Sequence, residues 1–431
     1  MSLPTSGQRQ SWRAAAQTQI SSTLDNTKIG QKNLRWYLSG WRMGIFWLVI
    51  AALVPWVLDT SLQVTAITVS IYVMLALGLN IVVGYAGLLD LGYVAFYVIG
   101  AYTMAAGSFG FIQLANGDTK AVPSFPFWVL LPVGAILAGF FGVLLGAPTL
   151  RLRGDYLAIV TLGFGEIVPI VFNNVPYFFG PVGISSLPPG DVGPISFSNP
   201  SFPAPFYYLT LLIVVLIILA VLSLRGSSLG RAWVAIREDE TAAASSGVNL
   251  VRTKLLAFGL GATVGGIGGV MNAAFTTSIT PKDFSFNISI TILIMVVLGG
   301  LGSVPGVILG AILLRFFDVY LLGQINDAVH NSVLVAGNSA PLHFLAGVDF
   351  NTSKYLIYGL ILVAMILVRP QGLIPDKRRT RELHGVGAAP ESLSVVGIVA
   401  EEEAGVAVSG EGSEDETAFS GAGSDAQGRE D

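Results

Sequence analysis

Apolar segments of about 20 residues follow one another along most of this chain, and this pattern limits the possible folds more than any other feature. A helix needs about 20 mostly apolar residues to cross the hydrocarbon core of a bilayer. Ten candidate spans lie at roughly 42–60, 62–83, 91–109, 126–147, 156–175, 206–224, 254–276, 287–301, 304–322 and 354–369. The eighth and ninth are short and adjacent, so eight spans remain if those two are re-entrant. The sequence predicts an all-α polytopic membrane protein with about ten transmembrane helices.

The composition agrees with lipid as the outer solvent. Only 12% of the residues are charged, against about 25% in a soluble protein. The 51 glycines suit membrane helices, because small residues let helix backbones approach closely. The chain has no cysteine, and its three histidines show no ligand spacing. We therefore predict no metal and no cofactor. The absence of phosphate-loop and zinc-protease motifs indicates that the chain is not an enzyme.

Basic residues lie almost entirely on one side of the predicted membrane. With the N-terminus inside, nineteen of the 23 Lys and Arg residues fall in inside segments. The outside segments hold only Lys120, Lys282 and Lys354, and Arg315 falls within a span. Cytoplasmic loops concentrate basic residues. Both termini are therefore predicted to be cytoplasmic, and the number of spans to be even.

The chain divides into three predicted parts. Residues 1–43 form a polar cytoplasmic segment without the features of a signal peptide, and residues 44–370 form the transmembrane domain. Residues 376–431 carry five basic and thirteen acidic side chains, whereas the rest of the chain has a net charge of +4. This tail has too few large apolar residues to bury a core, so we predict that it is disordered and cytoplasmic. The outside loops 176–205 and 323–353 are poor in basic residues, and the first is rich in proline.

A glycine-rich join between the second and third spans, Gly84–Tyr93, is a candidate for the substrate path. Glycine permits a broken helix, and broken helices in membranes are shielded by protein or line a cavity. Asp90 is an ionisable group at this join, although a short cytoplasmic turn with Asp90 as a helix N-cap fits equally well. The segment 297–302 resembles 82–87 and suggests an internal repeat, but glycine-rich spans also resemble one another by composition alone.

Glu166 lies within the fifth span, after two glycines. A carboxylate inside a span is costly and usually faces a cavity or a partner. It is suited to meet the ammonium group of an amino acid, but a structural contact with Arg315, with Asn80 or with a glycine-exposed backbone explains it as well. The tentative path residues are Asn80, Gly84, Gly87, Asp90, Tyr93, Glu166, Gly299 and Gly302.

The longest polar stretch between spans is predicted to be a cytoplasmic docking loop, residues 225–254. It contains a charged helix over Arg231–Glu240, with Ser227 or Ser228 before it and Gly247 after it as helix caps. A short helix across the membrane face, charged on one side, suits contact with a soluble partner. A simple solvated loop is the alternative, and the helical periodicity argues against it.

Three glycines of the seventh span, Gly261, Gly265 and Gly269, recur at four-residue spacing on one helix face. This small-xxx-small pattern predicts close helix packing, within the chain or across a subunit interface.

Several long stretches resemble the permease subunits of branched-chain amino-acid ABC importers, specifically the longer of the two paired permeases. The matching stretches are LALGLNIVVGYAGLLDLGYVAFYVIGAY (75–102), LRLRGDYLAIVTLGFGEIV (150–168), SLGRAWVAIREDETAAASSGVNLVRTKLLAF (228–258), VVLGGLGSVPGVILGA (296–311) and VRPQGLIP (368–375). Together they lie within residues 75–375. The first 40 residues and the acidic tail have no counterpart in this resemblance.

The resemblance implies a transporter powered from outside this chain. In such importers a cytoplasmic loop with the pattern Glu-Ala-Ala-x-x-x-Gly docks into the ATPase, and here Thr241 takes the place of the Glu, with Glu240 one position early. The implied partners are a homologous second permease, two ATPase subunits, an extracytoplasmic substrate-binding protein and the lipid bilayer of the bacterial plasma (inner) membrane, with no nucleic acid. The implied substrates are leucine, isoleucine and valine. The implied ATPase-coupling residues are Arg237, Glu238, Asp239, Glu240, Ala242, Ala243 and Gly247.

Three alternatives stay open at the level of sequence. A permease for urea or short amides differs only in substrate. An ion-coupled secondary transporter would need a coupling site, for which Asp90 and Glu166 are the candidates. A membrane scaffold without transport activity would not need a large cytoplasmic docking loop.

Overall fold

The structure, a computed structural model, is almost entirely helical over the residues that it describes. These are residues 41–57, 59–113, 119–121, 123–149, 155–185, 187, 203–324, 350–369 and 371–374. The predicted N-terminal segment, up to residue 40, and the predicted tail 376–431 lie outside the described residues. Parts of the predicted outside loops 176–205 and 323–353 also lie outside them.

Twelve α-helices are found among the described residues. They are Trp41–Val57 (α1), Thr60–Leu79 (α2), Val94–Phe109 (α3), Phe127–Thr149 (α4), Asp155–Asn174 (α5), Ala204–Gly226 (α6), Ser228–Glu238 (α7), Glu240–Ser245 (α8), Leu250–Thr276 (α9), Phe286–Gly299 (α10), Val304–Phe316 (α11) and Phe350–Val368 (α12). Each of the ten predicted spans coincides with one of these helices to within a few residues, so the prediction of an all-α polytopic membrane protein is confirmed.

Short π-helices, 3-10 helices and strands complete the fold of the described residues. The π-helices are Asn80–Tyr85 and Phe317–Leu321, and the 3-10 helices are Pro176–Phe178, Gly180–Val182 and Pro281–Asp283. The strands form two antiparallel pairs, Phe111–Gln113 (β1) with Thr119–Ala121 (β2), and Ile184–Ser185 (β3) with Ser278–Ile279 (β4).

Seven helical segments of the described chain are long and apolar enough to cross a membrane, judged by length and composition. The two segments that looked short in the sequence are among them. The 3-10 helix before α10 extends that segment to 19 residues, Pro281–Gly299, and the π-helix after α11 extends it to 21 residues, Val304–Gln324. These lengths favour ten spans over eight. The total number of spans stays a prediction, because α1, α3 and α12 contain shorter apolar stretches.

The centre of the bundle is built on α2 and α9. About 78% of the most apolar window of the α2 segment is buried, and 67% of that of α9. Helix α9 lies between α3 and α4 and contacts each through glycine. A Cβ added at Gly269 would come within 2.1 Å of the carbonyl oxygen of Tyr97, and one at Gly266 within 2.7 Å of that of Gly134. Backbones at this distance exclude any larger side chain, as the small-xxx-small pattern predicts.

Helix α1 is joined to α6 through a proline in α1. Pro55 has no N–H, so it cannot donate to the carbonyl of Ala51 one turn earlier. The hydroxyl of Tyr207 in α6 donates to that carbonyl at 2.8 Å, and the hydroxyl of Tyr208 donates to the carbonyl of Ala52 at 3.1 Å. Backbone groups inside a membrane need such internal partners.

The helix connections gather at two ends of the bundle. At one end, Arg237 of α7 contacts Gly84, which follows α2. At the same end, the N–H groups of Leu373 and Ile374, after α12, donate to carbonyls at the end of α10. At the other end β3 pairs with β4, and the N–H of Leu187 donates to the carbonyl of Thr277 at 3.0 Å. Connections predicted to be on the same side of the membrane therefore contact each other. The absolute orientation, with both termini inside, stays a prediction.

Candidate coupling surface and membrane path

The docking loop predicted from the sequence folds as two helices rather than one. The expected helix over Arg231–Glu240 is interrupted at Asp239, which has an extended backbone between α7 and α8. The carboxylate of Asp239 accepts hydrogen bonds from the N–H groups of Thr241 and Ala242, at 2.7 and 3.0 Å. These hydrogen bonds lower the pKa of Asp239. A carboxylate that satisfies two free N–H groups is a strong start for a new helix, which explains the break.

The cap before α7 is Ser227, one of the two serines predicted for this role. Its hydroxyl accepts from the N–H of Gly230 at 3.3 Å. Gly247, predicted as the cap after the helix, follows α8 with a φ of +85°. An added Cβ at Gly247 would meet nothing within 4 Å. The position thus lies on an open surface with a backbone that favours glycine.

Two contacts attach this pair of helices to the membrane bundle. Trp233 of α7 is fully buried, and its indole N–H donates to the carbonyl of Thr253 in α9 at 2.8 Å. Lys254 forms an ion pair of 2.5 Å with Glu240, and the Lys254 side chain is only 7% exposed. Ala243 is also buried, whereas Glu238, Ala242 and Gly247 are exposed. One side of the loop is therefore packed on the bundle, and the other is exposed with respect to the described residues.

Arg237 joins the docking loop to the glycine-rich join after α2. Its guanidinium donates to the carbonyl of Gly84 at 2.5 Å. Its aliphatic stem lies over Gly87, where an added Cβ would come within 2.6 Å of Cγ. A side chain at Gly87 would displace Arg237, and its φ of +70° also favours glycine. Arg237 therefore contacts the segment that follows α2 at two positions, Gly84 and Gly87.

The two glycine-rich segments that echo each other in the sequence contact each other in the structure. The side-chain oxygen of Asn80 accepts from the N–H of Gly302 at 2.9 Å. A Cβ at Gly84 would lie 2.7 Å from that same nitrogen. Gly299 packs on the next helix, where its added Cβ would be 2.3 Å from the carbonyl oxygen of Gly306. Asn80, Gly84, Gly87, Gly299 and Gly302 thus form one closely packed junction beside Arg237.

Asp90 is buried in the connection Ala86–Tyr93. One carboxylate oxygen accepts from the N–H of Gly92 at 2.9 Å, and the other has no hydrogen-bond partner among the described residues. Burial raises the pKa of Asp90 to about 7, although the Gly92 hydrogen bond partly opposes this. The interpretation of Asp90 as a helix N-cap is wrong, because Tyr93 holds that position and Ser289 of α10 binds the N–H of Val94 at 2.9 Å. Asp90, Gly92, Phe96, Leu145, Thr161, Phe164 and Phe258 line a small cavity.

Tyr93 and the glycine stripe of α9 meet at the centre of the bundle. The hydroxyl of Tyr93 donates to the carbonyl of Gly261 at 3.0 Å. Added Cβ atoms at Gly261 and Gly265 would come within 2.5 Å of Val82 and 3.2 Å of Phe96. Together with Gly269, these glycines bring α9 against α2 and α3 of the same chain.

Glu166 lies apart from all the other candidate residues. Its side chain is exposed on α5. Of the structural contacts considered for it, the two side chains bind elsewhere, because Arg315 pairs with Asp318 and Asn80 binds Gly302. Glu166 therefore faces outward from this chain, near the middle of α5.

A buried ionic cluster in the described part of the bundle was missed by the sequence analysis. Arg315 forms an ion pair with Asp318, and Lys354 of α12 binds the other Asp318 oxygen at 3.2 Å. The guanidinium of Arg315 also lies 4.1 Å from the centre of the Tyr72 ring. The spacing of three residues between Arg315 and Asp318 was the available signal. Pairing of this kind is what allows charges to reside within a span.

Comparison with known proteins places the chain in a transport family. Residues 61–367 match the model of a family described as "Branched-chain amino acid transport system / permease component". The permease protein LivM of a high-affinity branched-chain amino acid transport system in Escherichia coli K12 is 39% identical over 365 residues, covering 80% of this chain and 77% of the relative. No solved structure matches.

More distant relatives include permeases of both the LivM and the LivH type. A probable branched-chain amino acid transport permease protein LivM of Methanocaldococcus jannaschii is 25% identical over 333 residues, which is 71% of this chain and 91% of that protein. The permease protein LivH of Salmonella typhimurium is 27% identical over 283 residues, which is 62% of this chain and 88% of that protein.

Proposed function

The chain belongs to the permease-component family of branched-chain amino acid transport systems, and on that basis we propose that it is one membrane subunit of an ABC importer for leucine, isoleucine and valine. The observation that carries the proposal is the family match across 61–367 together with a structured docking loop attached to the bundle. The multi-pass helical architecture supports a membrane permease rather than a soluble enzyme. No observation favours a permease for urea or short amides, or an ion-coupled transporter.

The exposed side of α7 and α8 is the surface through which an ATPase subunit acts. Glu238, Asp239, Ala242 and Gly247 are exposed there, while Arg237 and Trp233 hold the opposite side to the bundle. A force applied to the exposed side therefore reaches Gly84 through a single charge-assisted hydrogen bond. This arrangement supports the role of Arg237–Gly247 in coupling ATP hydrolysis to the membrane helices.

The junction of Asn80, Gly84, Gly87, Gly299 and Gly302 is the element that this movement changes. Broken helices at matching positions of a repeat mark the substrate site in many transporters. Asp90 and Tyr93 continue from the same junction into the bundle. In the packed arrangement described here the junction is closed, so this proposal requires α7 to move before the path opens.

The remaining subunits supply what this chain lacks. A second, homologous permease completes the membrane path, and the LivH-type relatives are consistent with such a pair. Two ATPase subunits bind the docking loops at the cytoplasmic face of the bacterial plasma (inner) membrane. An extracytoplasmic substrate-binding protein delivers the amino acid to the opposite face.

Leucine uptake tests the transport function. The wild-type chain is reconstituted into vesicles with its companion subunits, and uptake is measured with ATP present and the proton gradient collapsed. We expect uptake to continue under these conditions and to stop when ATP is withheld. Loss of uptake when only the gradient is collapsed would contradict the ABC mechanism and favour an ion-coupled transporter.

Gly247→Arg tests the docking role of the loop. The added side chain would project into open space, so we expect the bundle to remain folded and the ATPase to lose its contact. Gly247→Asn is the matched control, because Asn tolerates the positive φ better than other side chains. The measurement is co-purification of the ATPase. Full retention with Gly247→Arg would remove Gly247 from the docking surface.

A further inference from the structure

The exposed face of α5 differs from the other exposed faces of the bundle. The faces of α4, α6 and α12 present large apolar side chains, as expected for contact with lipid. Examples are Ile136, Leu212 and Leu360, which are 69%, 57% and 65% exposed. Helix α5 also exposes Ile159 and Ile170, at 65% and 55%. Between them, however, it presents the exposed carboxylate Glu166.

The rotation of α5 about its axis is fixed by contacts with α3 and with the connection Ala86–Tyr93 that precedes it. A Cβ added at Gly92 would lie 1.9 Å from the carbonyl oxygen of Thr161, and one at Gly165 would lie 3.0 Å from Cα of Gly92. Nearer the other end of α5, the rings of Phe172 and Tyr102 stack with their centroids 4.1 Å apart. Because these contacts hold one side of α5 against α3 and the connection before it, Glu166 cannot turn inward without breaking them.

The outward residues of α5 include a stripe with a regular spacing. The stripe contains Tyr156, Ile159, the half-buried Gly163, Glu166, Ile170 and Asn174, and the exposed Ile167 and Val171 lie beside it. Steps of three and four residues place side chains along one helix face, as at a contact between two helices. A Cβ added at Gly163 would meet no atom of the described residues within 4 Å, so packing among those residues does not require a glycine here. A small residue at the centre of such a stripe does allow a helix from outside to approach closely.

Lipid does not suit this face. Glu166 is eleven residues from the start of a 20-residue helix, which places it about 16 Å along the axis, far from either end. An ionised carboxylate at that depth costs several kcal/mol in hydrocarbon, and such residues normally face a bundle interior or a water-filled cavity. The rest of the stripe is apolar enough to pack against protein. The face therefore requires an occupant that is apolar around its edges and admits water or a cationic group at Glu166.

From this geometry we infer that the second, homologous permease packs on the α5 stripe. Glu166 then lines a water-filled path between the two subunits. There its carboxylate accepts hydrogen bonds from the ammonium group of the passing amino acid. The inference rests on the proposed function, which supplies both the second permease and a substrate with an ammonium group. A carboxylate is a pure acceptor and so matches the three N–H donors of that group.

Photocrosslinking tests which occupant covers the stripe. A photoreactive phenylalanine analogue replaces Ile159, and in a matched control it replaces Leu360, since both side chains are 65% exposed. In the complete transporter we expect the analogue at Ile159 to form a covalent adduct with the second permease, and the analogue at Leu360 to form none. Adducts with lipid only, or with another copy of this chain, would overturn the inference.

Two glycine variants test the close approach. Gly163→Leu fills the open space on α5, and Gly359→Leu fills equally open space on α12. We expect Gly163→Leu to reduce co-purification of the second permease at least about tenfold, and Gly359→Leu to leave it unchanged. Because a Cβ added at either position meets no atom of the described residues within 4 Å, both variants should be obtained in similar yield. Equal retention of the second permease by both variants would count against the interface.

Cysteine labelling and uptake test the water-filled path. The chain has no cysteine, so Glu166→Cys and Leu360→Cys are single sites for a charged, water-soluble thiol reagent. We expect the reagent to modify Glu166→Cys in the assembled transporter and not Leu360→Cys. Glu166→Gln should lower leucine uptake about tenfold or more while the second permease still co-purifies.

The outcomes separate this inference from the proposed function. If the wild-type transporter takes up leucine with ATP, but Glu166→Cys is unreactive and Glu166→Gln transports normally, the path assignment fails and the importer function stands. If the wild-type assembly does not transport leucine, the function fails even where the crosslink to the second permease is found.

Discussion

At the scale of single residues, the environment of a side chain decides its role more than its type does. Asp90 and Glu166 are both carboxylates of the predicted transmembrane domain, and the sequence makes both of them candidates for the substrate path. The structure buries Asp90 in the connection after α2, with one oxygen bound to the N–H of Gly92. It leaves Glu166 exposed on α5. The first is therefore a candidate for pH-dependent behaviour, and the second for contact with a partner or substrate.

We predict that Asp90 makes the folded protein less stable as the pH rises. Burial raises the pKa of Asp90 to about 7, so between about pH 4 and 7 the folded state keeps a proton that the unfolded state releases. Stability should fall across that window, by up to a few kcal/mol. Asp90→Asn should remove most of this dependence. The measurement is thermal unfolding of the purified protein at pH 5 and pH 8.

The control for Asp90 is Thr161→Val. Thr161 lines the same cavity, and its hydroxyl accepts from the N–H of Leu91 at 3.1 Å. That substitution removes a polar group but no titrating group, so it should lower stability equally at both pH values. A wild-type melting temperature that is the same at pH 5 and pH 8 would show that Asp90 does not titrate in this range.

At the scale of secondary-structure elements, local chemistry fixes helix ends while backbone contacts fix helix pairs. The break between α7 and α8 follows from Asp239, whose side chain caps the second helix. The positions of α3, α4 and α9 follow from glycines whose added Cβ atoms would reach a neighbouring backbone. The first kind of signal lies within a few residues of sequence, and the second depends on which helices are neighbours.

We predict that Asp239→Ala loosens the start of α8. The N–H groups of Thr241 and Ala242 would lose their acceptor and should exchange with solvent several-fold faster. The lowered pKa of Asp239 means that the cap is present at neutral pH and is lost only as the pH falls through that lowered value. Hydrogen exchange of this segment checks the prediction. Asp239→Asn keeps a side-chain oxygen acceptor and should remain close to wild type.

We predict that Gly269→Val destabilises the bundle and that Gly359→Val does not. The first added Cβ would lie 2.1 Å from the carbonyl oxygen of Tyr97, whereas the second would meet nothing within 4 Å. Overpacking of this kind costs about 1–3 kcal/mol or more. Thermal unfolding in detergent compares the two variants. Both variants replace a helical glycine by valine, so the change in helix propensity is the same in each. Similar melting temperatures would therefore show that moving α9 away from α3 costs little free energy of unfolding.

At the scale of the whole molecule, the distribution of basic residues predicts which loops lie inside the cell and which lie outside. The contacts between loops agree with the predicted grouping of loops at the two ends of the bundle. We predict that Val182, 80% exposed after α5, lies outside the cell and that Ala244 in α8 lies inside. Val182→Cys should react with a membrane-impermeant thiol reagent on intact cells, and Ala244→Cys only after permeabilisation. The opposite pattern would invert the molecule in the membrane.

The sequence by itself determined the helical class, the positions of ten apolar segments and the family, because these depend on composition, on runs of about 20 residues and on long ungapped motifs. It also located the docking loop and the glycine stripe of α9. It did not determine the break at Asp239, because this N-cap residue lies within a continuous run of helix-forming residues.

Only the tertiary structure decided which polar groups share a site. Arg237 reaches Gly84 across 153 positions of sequence, and Asn80 reaches Gly302 across 222. It also decided that Glu166 faces outward, because the close contact of Gly92 with α5 sets the rotation of that helix. Such contacts depend on how whole helices pack. The local periodicity of the sequence does not show which neighbouring segment packs against each glycine.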